Sequence, residues 1–374
     1  MSQAPLSILH VLAPTDVGGL ETVVQLLAAG HTHCGHSVEI AAVVTSPKNL
    51  FVEQARDAGI KVHVIASPAR SFLPERHGVR DLIKRKRVDV VHSHGYRSDI
   101  LDIAVARHMG VPSITTLHGF AANDRKARAY EWLQLRSIRR ASAVVAVSTN
   151  VVDKVLASGV YADRVYLVRN ATTPIRCLLS KTDARARLHL DNGLQIGWIG
   201  RLSSEKGPDL IIDAMQYLTD LPVKLSIVGD GPDLNPLKAK ARQLGVAESI
   251  HFHGRITNAA SLLRAFDLMT LSSRTEGTPM VILEAMSAGT PIVSARIGGV
   301  PDMLSDADAL LVPPADSRLL AAGIRAALGD LAEARLRASH AQVRVATEFG
   351  ADAWLAKYES LYQTIRGIEP GRSL

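Results

Sequence analysis

Short runs of aliphatic and β-branched residues alternate with helical patterns along the whole chain, and this alternation constrains the fold more than any other feature. The run LSILHVLA at 6–13 predicts a strand, a helical pattern extends from Glu21 to about Ala29, and VEIAAVV at 38–44 predicts the next strand. Strands that alternate with helices predict a parallel sheet covered on both faces. The other strands predicted in this half lie at 61–65, 89–92, 113–117, 143–148 and 165–168.

The same pattern starts again near residue 195. The segment QIGWIG at 195–200 predicts a strand, and 208–217 and 234–244 predict helices. The chain is therefore expected to form two doubly wound domains with parallel sheets, linked by the segment 171–192 with its Pro174. The remaining elements of the second half are predicted as strands at 224–230, 250–253, 267–271, 291–294 and 309–312, and as helices that begin near Ala259, Pro279 and Pro301.

The length of the chain bears on the number of domains, and the absence of targeting signals bears on the cellular compartment. A chain of 374 residues favours two domains, and no window of 18 consecutive apolar residues predicts a membrane span. The N-terminal sequence MSQAPLSILHVLAP lacks the basic and small-residue features of a secretory signal. The two cysteines, Cys34 and Cys177, are far apart and outside any metal-ligand spacing, which is typical of a reducing compartment. These features predict a cytoplasmic protein.

The excess of positive over negative charge lies in the first half of the chain. Residues 1–180 contain 22 Lys and Arg against 14 Asp and Glu, whereas residues 181–374 contain 21 against 22. This distribution favours an anionic partner, either a phosphate-bearing substrate or an anionic membrane surface, and a merely solvated basic face is the alternative. No nucleic acid partner is expected.

Basic residues cluster at 84–87, at 125–128 and at 136–140, and the last two clusters flank Trp132 and two leucines. Each basic residue near an anionic membrane contributes about 1 kcal/mol to binding. Peripheral contact with the inner membrane leaflet is one interpretation of this segment. Packing of Trp132 and the leucines into the core is the other.

The segment EGTPMVILEAMSAG at 276–289 carries the most informative motif. Pro279 suits the first turn of a helix, where its missing N–H is not needed, and the backbone N–H groups around it form an anion site suited to a diphosphate. A carboxylate accepts two hydrogen bonds from vicinal hydroxyls, so Glu284 is suited to a ribose and Glu276 to a sugar. Two solvated helix-end acids are the alternative. The backbone that would line the ligand belongs to Gly277, Thr278, Met280 and Val281.

The segment GRLSSEKG at 200–207 directly follows the first strand predicted in the second domain. Arg201 and Lys206 can neutralise a diphosphate there, most strongly as charge builds up on a departing phosphate. We therefore predict that these two side chains form a phosphate clamp.

A glycine pair opens the first predicted helix, in the segment TDVGGLETVV at 15–24. Gly18 and Gly19 allow the backbone to approach a ligand closely. The segment does not match the G-x-G-x-x-G pattern, which argues against simple dinucleotide binding.

Together, these motifs resemble the retaining glycosyltransferases of family 4, which have the GT-B fold of two Rossmann-like domains facing a deep interdomain cleft. The resemblance covers nearly the whole chain and is most specific at Glu276 and Glu284, which fit that family's E-x7-E motif. It implies an N-terminal acceptor domain at 1–175 and a C-terminal nucleotide-sugar donor domain at 190–348. It also implies that the last helix, 351–368, packs back on the N-terminal domain.

By the same resemblance, Arg201 and Lys206 hold the donor diphosphate and act in catalysis together with Glu276, which binds the donor sugar, while Glu284 binds the ribose. The reaction implied is a retaining transfer of a hexose-type sugar from a nucleotide diphosphate, UDP by default, to an acceptor. The glycine pair Gly18 and Gly19 is counted with the donor-binding residues. The resemblance adds to these residues Gly277, Thr278, Pro279, Met280 and Val281 along the donor, and Arg255 and Ile256 beside the base.

His118, in the segment TTLHGF, ends a predicted strand and matches a position that faces the transferred sugar in the family, so we count it among the catalytic residues. His94 and Tyr96, in VVHSHGYRSD, and Ser148 also follow strands and are predicted to lie on the acceptor side. A structural role at a strand end is the alternative for the histidines. Asn170 also ends a strand, but its segment RNATTP departs from the Asn-Gly followed by Val and Asp that is common in the family.

The sequence does not identify the acceptor; a glycan, a phosphorylated molecule and a lipid-linked or polysaccharide precursor are the candidates. The triplet Asp306-Ala307-Asp308 has a D-x-D pattern that can bind a metal, but its place in a polar turn predicts a solvated loop, so neither a metal nor a cofactor is expected. Two other functions stay open. One is a nucleotide-sugar 2-epimerase on the same fold, which needs no acceptor, and the other is a non-catalytic protein that binds nucleotide sugars or polyanions.

Overall fold

The computed structural model of the chain describes residues 4–14, 18–46, 48–67, 71–120, 125–175 and 177–366. The chain divides into two units: unit 1 comprises residues 1–170 and 352–374, and unit 2 comprises residues 171–351. Each unit is built on one parallel sheet, which confirms the predicted fold class.

The described residues of unit 1 form a sheet of seven strands, and every pair of neighbouring strands is parallel. They are β1 (Ser7–Leu12), β2 (Ser37–Val44), β3 (Lys61–Ala66), β4 (Val90–His94), β5 (Ser113–Leu117), β6 (Ala143–Ala146) and β7 (Val165–Leu167). Their order in the sheet is β3-β2-β1-β4-β5-β6-β7. The direction of winding therefore reverses between β1 and β4, and ligands of such sheets bind at the carboxyl ends of the strands beside this reversal.

The burial of the strands follows from their positions in the sheet. All side chains of β4, β5 and β6 are buried, whereas β3 at the edge has none that is fully buried. Central strands of a parallel sheet are covered by helices on both faces, which explains why even the polar side chains of β4 and β5 are buried. The helices of this part of unit 1 are α1 (Gly19–His33), α2 (Leu50–Asp57), α3 (Leu73–Lys86), α4 (Tyr96–His108), α5 (Arg125–Ile138) and α6 (Thr149–Ala157).

Unit 2 repeats this architecture, with six parallel strands among its described residues. They are β8 (Leu194–Ile199), β9 (Val223–Val228), β10 (Ile250–Gly254), β11 (Leu268–Leu271), β12 (Ile292–Ala295) and β13 (Leu310–Val312). Their order is β10-β9-β8-β11-β12-β13, so the winding reverses between β8 and β11. The helices are α7 (Lys181–Arg187), α8 (Pro208–Met215), α9 (Leu234–Gln243), α10 (Met280–Ala288), α11 (Val300–Met303), α12 (Ser317–Gly329) and α13 (Leu331–Glu348).

The segment 171–192, predicted as a link, contains α7 and packs as part of unit 2. Ala184 and Leu188 are buried in an apolar cluster, and the guanidinium of Arg185 lies 2.7 Å from a carboxylate oxygen of Asp267. A seven-residue helix gains little from its own backbone, so these tertiary contacts stabilise it. The helix predicted near Ala259 is a 3₁₀ helix over Ala259–Ala265.

The last helix, α14 (Ala351–Arg366), packs against unit 1. Trp354, Tyr358 and Tyr362 are buried along it, and its close approach to α1 depends on a glycine. A Cβ atom at Gly30 would lie 2.4 Å from the nearest methyl carbon of Leu355. Of the predicted range 351–368, the last two residues lie outside the described part of the chain. Within the described ranges, no helix combines the length and apolar character needed to cross a membrane.

Candidate functional site

The reversal between β8 and β11 brings Lys206 and Glu276 together, although 70 residues separate them. Lys206 ends the 3₁₀ turn Ser204–Lys206 after β8, and Glu276 lies in the loop after β11. The Nζ atom of Lys206 donates to both carboxylate oxygens of Glu276, at 2.8 and 3.0 Å. Ser273 Oγ donates to Oε1 of the same carboxylate at 2.7 Å. The carboxylate is therefore held in one position by a cation and a hydroxyl.

The loops that carry these side chains pack backbone against backbone. Gly207 has a φ angle of 63°, and a Cβ atom there would lie 2.2 Å from the carbonyl oxygen of Ser272. Gly298, with a φ angle of 55°, would place a Cβ atom 1.9 Å from the carbonyl oxygen of Glu276. Only glycine fits both the conformation and the space at these two positions. The two contacts fix the loop that carries Glu276 from both sides.

A bidentate ion pair that the sequence analysis did not identify joins the same loops. The guanidinium of Arg274 donates to both carboxylate oxygens of Asp209, at 2.8 and 2.6 Å, and to the carbonyl oxygen of Ser204 at 2.8 Å. Asp209 lies in the first turn of α8, directly after the turn that carries Lys206. In the sequence, Arg274 could have been noticed because it lies two residues before Glu276. Its partner Asp209 could not, because the pairing depends on which loops are neighbours in the fold.

The N-terminus of α10 lies directly after this loop. Pro279 is its N-cap residue and has no side-chain group that could cap it, and Gly277 and Thr278 are buried before it. The first backbone N–H groups of a helix have no partner within the helix and carry the positive end of its dipole. This geometry is suited to an anion, and the binding of an anion there stays a prediction.

Glu284 lies one turn into α10 and is half-buried. Burial raises the pKa of its carboxyl group from 4.5 to about 7. Hydroxyl donors from a ligand would stabilise the ionised form, since hydrogen bonds to a carboxylate favour its charge. The Glu284 carboxyl group is therefore suited to a ligand that donates hydrogen bonds to it.

Three further residues predicted to bind the donor lie at strand ends of unit 2. Arg201 follows β8, is exposed and forms no ion pair within the described ranges. Arg255, directly after β10, is exposed as well. Ile256 is half-buried and packs against the apolar cluster that contains Leu188. Nothing in unit 2 contradicts a role for these residues, and the role stays a prediction.

Unit 1 places a group of buried histidines at the reversal between β1 and β4. His10 on β1 and His94 on β4 share a hydrogen bond of 3.0 Å between Nδ1 and Nε2, and His94 Nδ1 lies 3.3 Å from Nε2 of His118. His92 contacts Tyr362 OH through Nδ1, at 2.8 Å. Burial lowers the pKa of His10 to about 3 and that of His118 to about 4, and it lowers the pKa of His94 well below 6.5. These rings are therefore neutral at pH 7.

A pocket of about 460 Å³ opens beside His118. Tyr96 and Tyr130 form an aromatic wall with ring centroids 5.2 Å apart, and the ammonium of Lys126 lies 5.9 Å from the centroid of Tyr130. Phe120 adds a third ring. Aromatic surfaces beside a cation suit a ligand that combines apolar ring faces with hydroxyl or anionic groups.

The three residues predicted on the acceptor side differ in exposure. Tyr96 is 53% exposed and lines the pocket. His94 is 1% exposed, and it reaches the pocket only through its contact with His118. Ser148 is buried at the N-terminus of α6, and its hydroxyl has no hydrogen-bond partner in the described part of the chain. Contact of these residues with an acceptor stays a prediction.

The predicted glycine loop lies partly outside the described residues, which exclude 15–17. Gly18 has a φ angle of −136°, which any residue adopts, and a Cβ atom there would meet only Glu21 Oε2 at 3.3 Å. The Glu21 carboxylate accepts a hydrogen bond from Gly18 N at 3.1 Å. The N-terminus of α1 therefore already interacts with a carboxylate. Gly18 and Gly19 are exposed, and their contact with a donor stays a prediction.

A buried acid behind the pocket is another residue that sequence reasoning missed. Asp99 on α4 accepts hydrogen bonds from Ser93 and Thr115, both at 2.6 Å, and from Gln134 at 2.7 Å. Burial raises its pKa to about 6. Asp99 thus connects α4 to β4, β5 and α5, and Gln134 also lines the pocket.

The acids of the D-x-D triplet are engaged by arginines. Asp306 lies 2.7 Å from Arg296, and Asp308 lies 2.8 Å from Arg344 and accepts from both the N–H and the hydroxyl of Ser305. The lowered pKa of Asp308 reflects these donors and the charge of Arg344, which together outweigh its burial. Both carboxylates therefore stabilise a turn through protein contacts.

Two family profiles match the chain. The first is described as "Glycosyl transferases group 1" and matches residues 180–342, and the second is described as "Glycosyl transferase 4-like domain" and matches residues 18–171. A D-inositol 3-phosphate glycosyltransferase of Segniliparus rotundus is 31% identical over 324 residues, which cover 78% of this chain and 72% of that protein. A glycogen synthase of Mycobacterium tuberculosis is 27% identical over 375 residues, covering 90% of this chain and 88% of that protein.

Solved structures show the same fold at lower sequence identity. The structure of Anabaena Alr3699/HepE in complex with UDP-glucose has a TM-score of 0.87 at 21% identity, and the match covers 96% of this chain and 100% of the other. A sucrose-phosphate synthase from Thermosynechococcus elongatus has a TM-score of 0.84 at 19% identity, with 96% and 99% covered. Both sheets with their helices therefore have counterparts in known proteins.

The raised pKa of Glu284 predicts how stability depends on pH. The native state binds the Glu284 proton more tightly than the unfolded chain, so its stability falls as the pH rises from about 4.5 to about 7, by roughly 2–3 kcal/mol. In Glu284→Gln the side chain does not ionise, so this fall in stability with pH is absent. We expect the variant to be more stable than wild type at pH 8 and nearly equal to it at pH 4.5, as measured by denaturant unfolding of unit 2. The exposed Glu248→Gln is the matched control, and an equal effect of Glu284→Gln at both pH values would contradict the prediction.

Proposed function

We propose that this chain, which belongs to the GT-B glycosyltransferases described as glycosyl transferases group 1, is a retaining and metal-independent hexosyltransferase that uses a UDP-sugar. The observation that carries the proposal is the grouping in unit 2 of a Lys206–Glu276 pair, the N-terminus of α10 and the half-buried Glu284 at the reversal of the sheet. A cation, a helix dipole and two carboxylates are the groups that a nucleotide-diphosphate sugar requires.

The diphosphate is proposed to bind at the N-terminus of α10, with Arg201 and Lys206 as its cations. Lys206 forms an ion pair with Glu276, with 2.8 Å between Nζ and Oε1. An incoming diphosphate offers Lys206 a second anionic partner. As Lys206 turns to the phosphate, the Glu276 carboxylate becomes available for sugar hydroxyls, so the same ion pair prepares both halves of the donor site.

The ribose is proposed to bind Glu284. The carboxyl group has no ion-pair partner within the described ranges, and its raised pKa shows that burial disfavours its charge. Two vicinal hydroxyls that donate to the carboxylate lower this pKa again. Nucleotide binding at pH 7 should therefore release part of a proton from Glu284.

The choice of UDP and of a hexose rests on similar proteins. Alr3699/HepE was crystallised with UDP-glucose. Another relative, a UDP-Gal:alpha-D-GlcNAc-diphosphoundecaprenol alpha-1,3-galactosyltransferase of Escherichia coli, is 27% identical over 234 residues, which cover 58% of this chain and 60% of that protein. Its name combines a UDP-hexose donor with a lipid-linked acceptor, and we propose the same two classes here.

In the proposed reaction, the bond between the sugar and the diphosphate breaks and the acceptor oxygen bonds to the same face of the sugar. The departing phosphate gains negative charge, which Arg201, Lys206 and the dipole of α10 stabilise. A phosphate oxygen takes the proton of the acceptor hydroxyl. No residue of the chain forms a covalent bond with the sugar in this scheme, which makes the placement of charge the main contribution of the protein.

Metal independence is proposed because the positive groups of the site are already supplied by the protein. Lys206, Arg201 and the helix N-terminus provide the charge that a divalent cation provides in other transferases. Glu276 is occupied by Lys206, and the acids of the D-x-D triplet are occupied by Arg296 and Arg344.

The acceptor is proposed to bind the unit 1 pocket beside His118. Tyr96 and Tyr130 offer ring faces for a sugar, inositol or similar ring, and the exposed Lys126 favours a phosphate or another anion on it. The net positive charge of residues 1–180 also favours an anionic acceptor. A lipid-linked or phosphorylated precursor fits both properties.

Removal of the cations should nearly abolish transfer. The loss of one fixed donor at a site of developing charge costs roughly 100- to 1000-fold in rate, so Arg201→Ala and Lys206→Ala are each expected to lower kcat by this factor. The assay follows UDP release from UDP-hexoses in the presence of candidate acceptors, with the exposed Arg335→Ala as a control of equal charge change. Near-wild-type turnover in either variant would show that the clamp is misassigned. Conversion of the UDP-sugar to a 2-epimer without an acceptor would replace the transferase proposal by the epimerase alternative.

Calorimetry distinguishes the donor nucleotide and tests the metal. We expect UDP to bind more tightly than GDP or ADP, with the same affinity with and without magnesium. Glu284→Ala should weaken UDP binding about tenfold or more, because it removes two hydrogen bonds to a charged group. Magnesium-dependent binding would exclude the metal-independent scheme, and failure of all three nucleotides to bind would favour the non-catalytic alternative.

The exposed face of α5 supports peripheral contact with an anionic membrane. Trp132 is 61% exposed and Leu133 is 38% exposed, so these two do not pack into the core as the alternative interpretation held, whereas Leu135 is half-buried and packs against an apolar cluster. The guanidinium of Arg136 lies 5.9 Å from the Trp132 ring, and Arg139 and Arg140 follow it. An aromatic side chain among basic residues is typical of helices that lie on membrane surfaces.

Vesicle flotation measures this contact. Wild-type protein is expected to float with vesicles that contain phosphatidylserine and to stay in solution with phosphatidylcholine alone. Trp132→Ala should reduce the floating fraction several-fold, whereas Tyr161→Ala, which removes another exposed aromatic ring from unit 1, should not. Equal flotation with both lipids, or none, would refute membrane contact.

A further inference from the structure

We infer that His10, His94 and His118 form a hydrogen-bonded chain that fixes the tautomer of His118, so that its Nδ1–H faces the ligand as a donor. His94 and His10 act in this chain as positioning residues. The inference rests on the proposed function in one respect, because it takes the pocket beside His118 as the place where the ligand binds.

The chain crosses three adjacent strands of unit 1. His10 pairs in register with His92 across β1 and β4, and His94 pairs with Thr116 across β4 and β5. His10 Nδ1 lies 3.0 Å from His94 Nε2, and His94 Nδ1 lies 3.3 Å from His118 Nε2. His10 and His94 are 0% and 1% exposed. Water therefore has no access to the middle of the chain.

The number of protons restricts this chain to two arrangements. A neutral imidazole carries one N–H and one bare nitrogen, so each ring donates through one nitrogen and accepts through the other. In the first arrangement, His10 donates to His94, His94 donates to His118, and His118 keeps its proton on Nδ1. In the second, every proton is on the opposite nitrogen, His118 Nδ1 is bare, and His10 carries its proton on Nε2.

The two ends of the chain decide between these arrangements. His10 Nε2 and His118 Nδ1 are both buried without a hydrogen-bond partner in the described part of the chain. A buried N–H without an acceptor is rarer in proteins than a buried acceptor without a donor. The second arrangement leaves such an N–H on His10, which is 0% exposed within the sheet. The first leaves it on His118, a half-buried ring that lines the pocket, so a ligand in that pocket is the acceptor that we infer for it.

The surroundings keep the three rings neutral. Burial lowers the pKa of each ring, and the neighbouring histidines lower those of His10 and His94 further. The titratable groups that face the chain from the elements packed on it are His92 on β4, His31 on α1, and Tyr358 and Tyr362 on α14. Within the described ranges, no carboxylate forms a hydrogen bond with the three rings. A neutral His118 with its proton on Nδ1 is a donor toward the pocket and cannot act there as a base.

A metal ion is the other occupant that this geometry suggests. One nitrogen from each of His10, His92 and His94 lies within 4.8 Å of the others. However, His92 already contacts Tyr362 OH through Nδ1 and Thr116 Oγ1 through Nε2, both at 2.8 Å. A metal would have to break one of these bonds and one of the two bonds that His94 forms with His10 and His118. The hydrogen-bonded chain satisfies the same nitrogens without rearrangement, so metal binding is an outcome for the test to exclude.

Two substitutions of His94 separate its hydrogen bond from its bulk. The amide N–H₂ of Asn lies close to the position of Nδ1 in histidine, so His94→Asn retains the donor to His118. His94→Leu fills a similar volume and removes the donor. His10→Leu is the second variant, because it leaves His94 in place and removes the donor that orients it.

The experiment is nitrogen NMR of the full chain with ¹⁵N-labelled histidines, with the His118 signals identified by their absence in His118→Gln. We expect a neutral ring protonated at Nδ1 in wild type and in His94→Asn, and a shift toward the Nε2–H tautomer in His94→Leu and His10→Leu. A wild-type His118 that is protonated at Nε2 or on both nitrogens at pH 7 would overturn the inference. So would an unchanged His118 in both leucine variants, or one equivalent of zinc that stays with the protein after dialysis against a chelator.

Kinetics and binding separate this inference from the proposed function. His94→Leu is expected to lower kcat about tenfold, the effect of one hydrogen bond, with recovery in His94→Asn and with UDP affinity unchanged in calorimetry. Equal losses in both His94 variants would mean that the ring has only a structural role. Failure of wild type to bind UDP or transfer a sugar would refute the proposed function, and the tautomer of His118 would still be read from the NMR spectrum.

Discussion

The donor site that we propose in unit 2 depends on loops that pack backbone against backbone at the carboxyl ends of β8 and β11. Two glycines make this contact possible, since a Cβ atom at Gly207 or Gly298 would overlap a carbonyl oxygen of the neighbouring loop. The loop after β11 is held between them and can start α10 only in one place. The position of Glu276, the direction of the α10 dipole and the reach of Lys206 all follow from this packing. A site fixed by backbone contact loses little free energy to reorganisation when a charged ligand arrives.

The two carboxylates of this site differ in how their negative charge is compensated. Lys206 and Glu276 neutralise one another in an ion pair. Glu284 is different, because burial raises its pKa to about 7 and no cation compensates it within the described ranges. One carboxylate is therefore stored as an ion pair and the other as an acid that is partly protonated at neutral pH. Both forms reduce the cost of keeping negative groups next to the place where we propose that a diphosphate binds.

In unit 1, hydrogen bonds stabilise the buried histidines and Asp99. Its sheet carries polar side chains where β1, β4 and β5 end, and these are too deeply buried to be hydrated. On one face, His10, His92 and His94 satisfy each other or hydroxyl groups of Thr116 and the α14 tyrosines. On the other face, Asp99 collects three donors. Buried polar groups of this kind are costly unless they are paired, and paired networks hold side chains in defined positions. The pocket beside His118 is lined from both networks.

Local patterns in the sequence were sufficient for the strands, though not for every helix, and for the types of group at the strand ends. The alternation of apolar strands and helices specified two parallel sheets, and Pro279 after Glu276 marked the start of a helix suited to an anion, because both signals depend only on neighbouring residues. Strand order decided the rest. Lys206 meets Glu276 because β8 lies beside β11, and His10 meets His94 because β1 lies beside β4, across 70 and 84 residues of chain. Tertiary contacts also decided that α7, which was predicted as part of a link, is a helix packed in unit 2. They decided likewise that Arg274 pairs with Asp209. No local pattern encodes which strands become neighbours, since that choice is made by the burial of whole faces of the sheet. The sequence thus determined which chemical groups this protein presents, and the tertiary structure alone decided which of them touch.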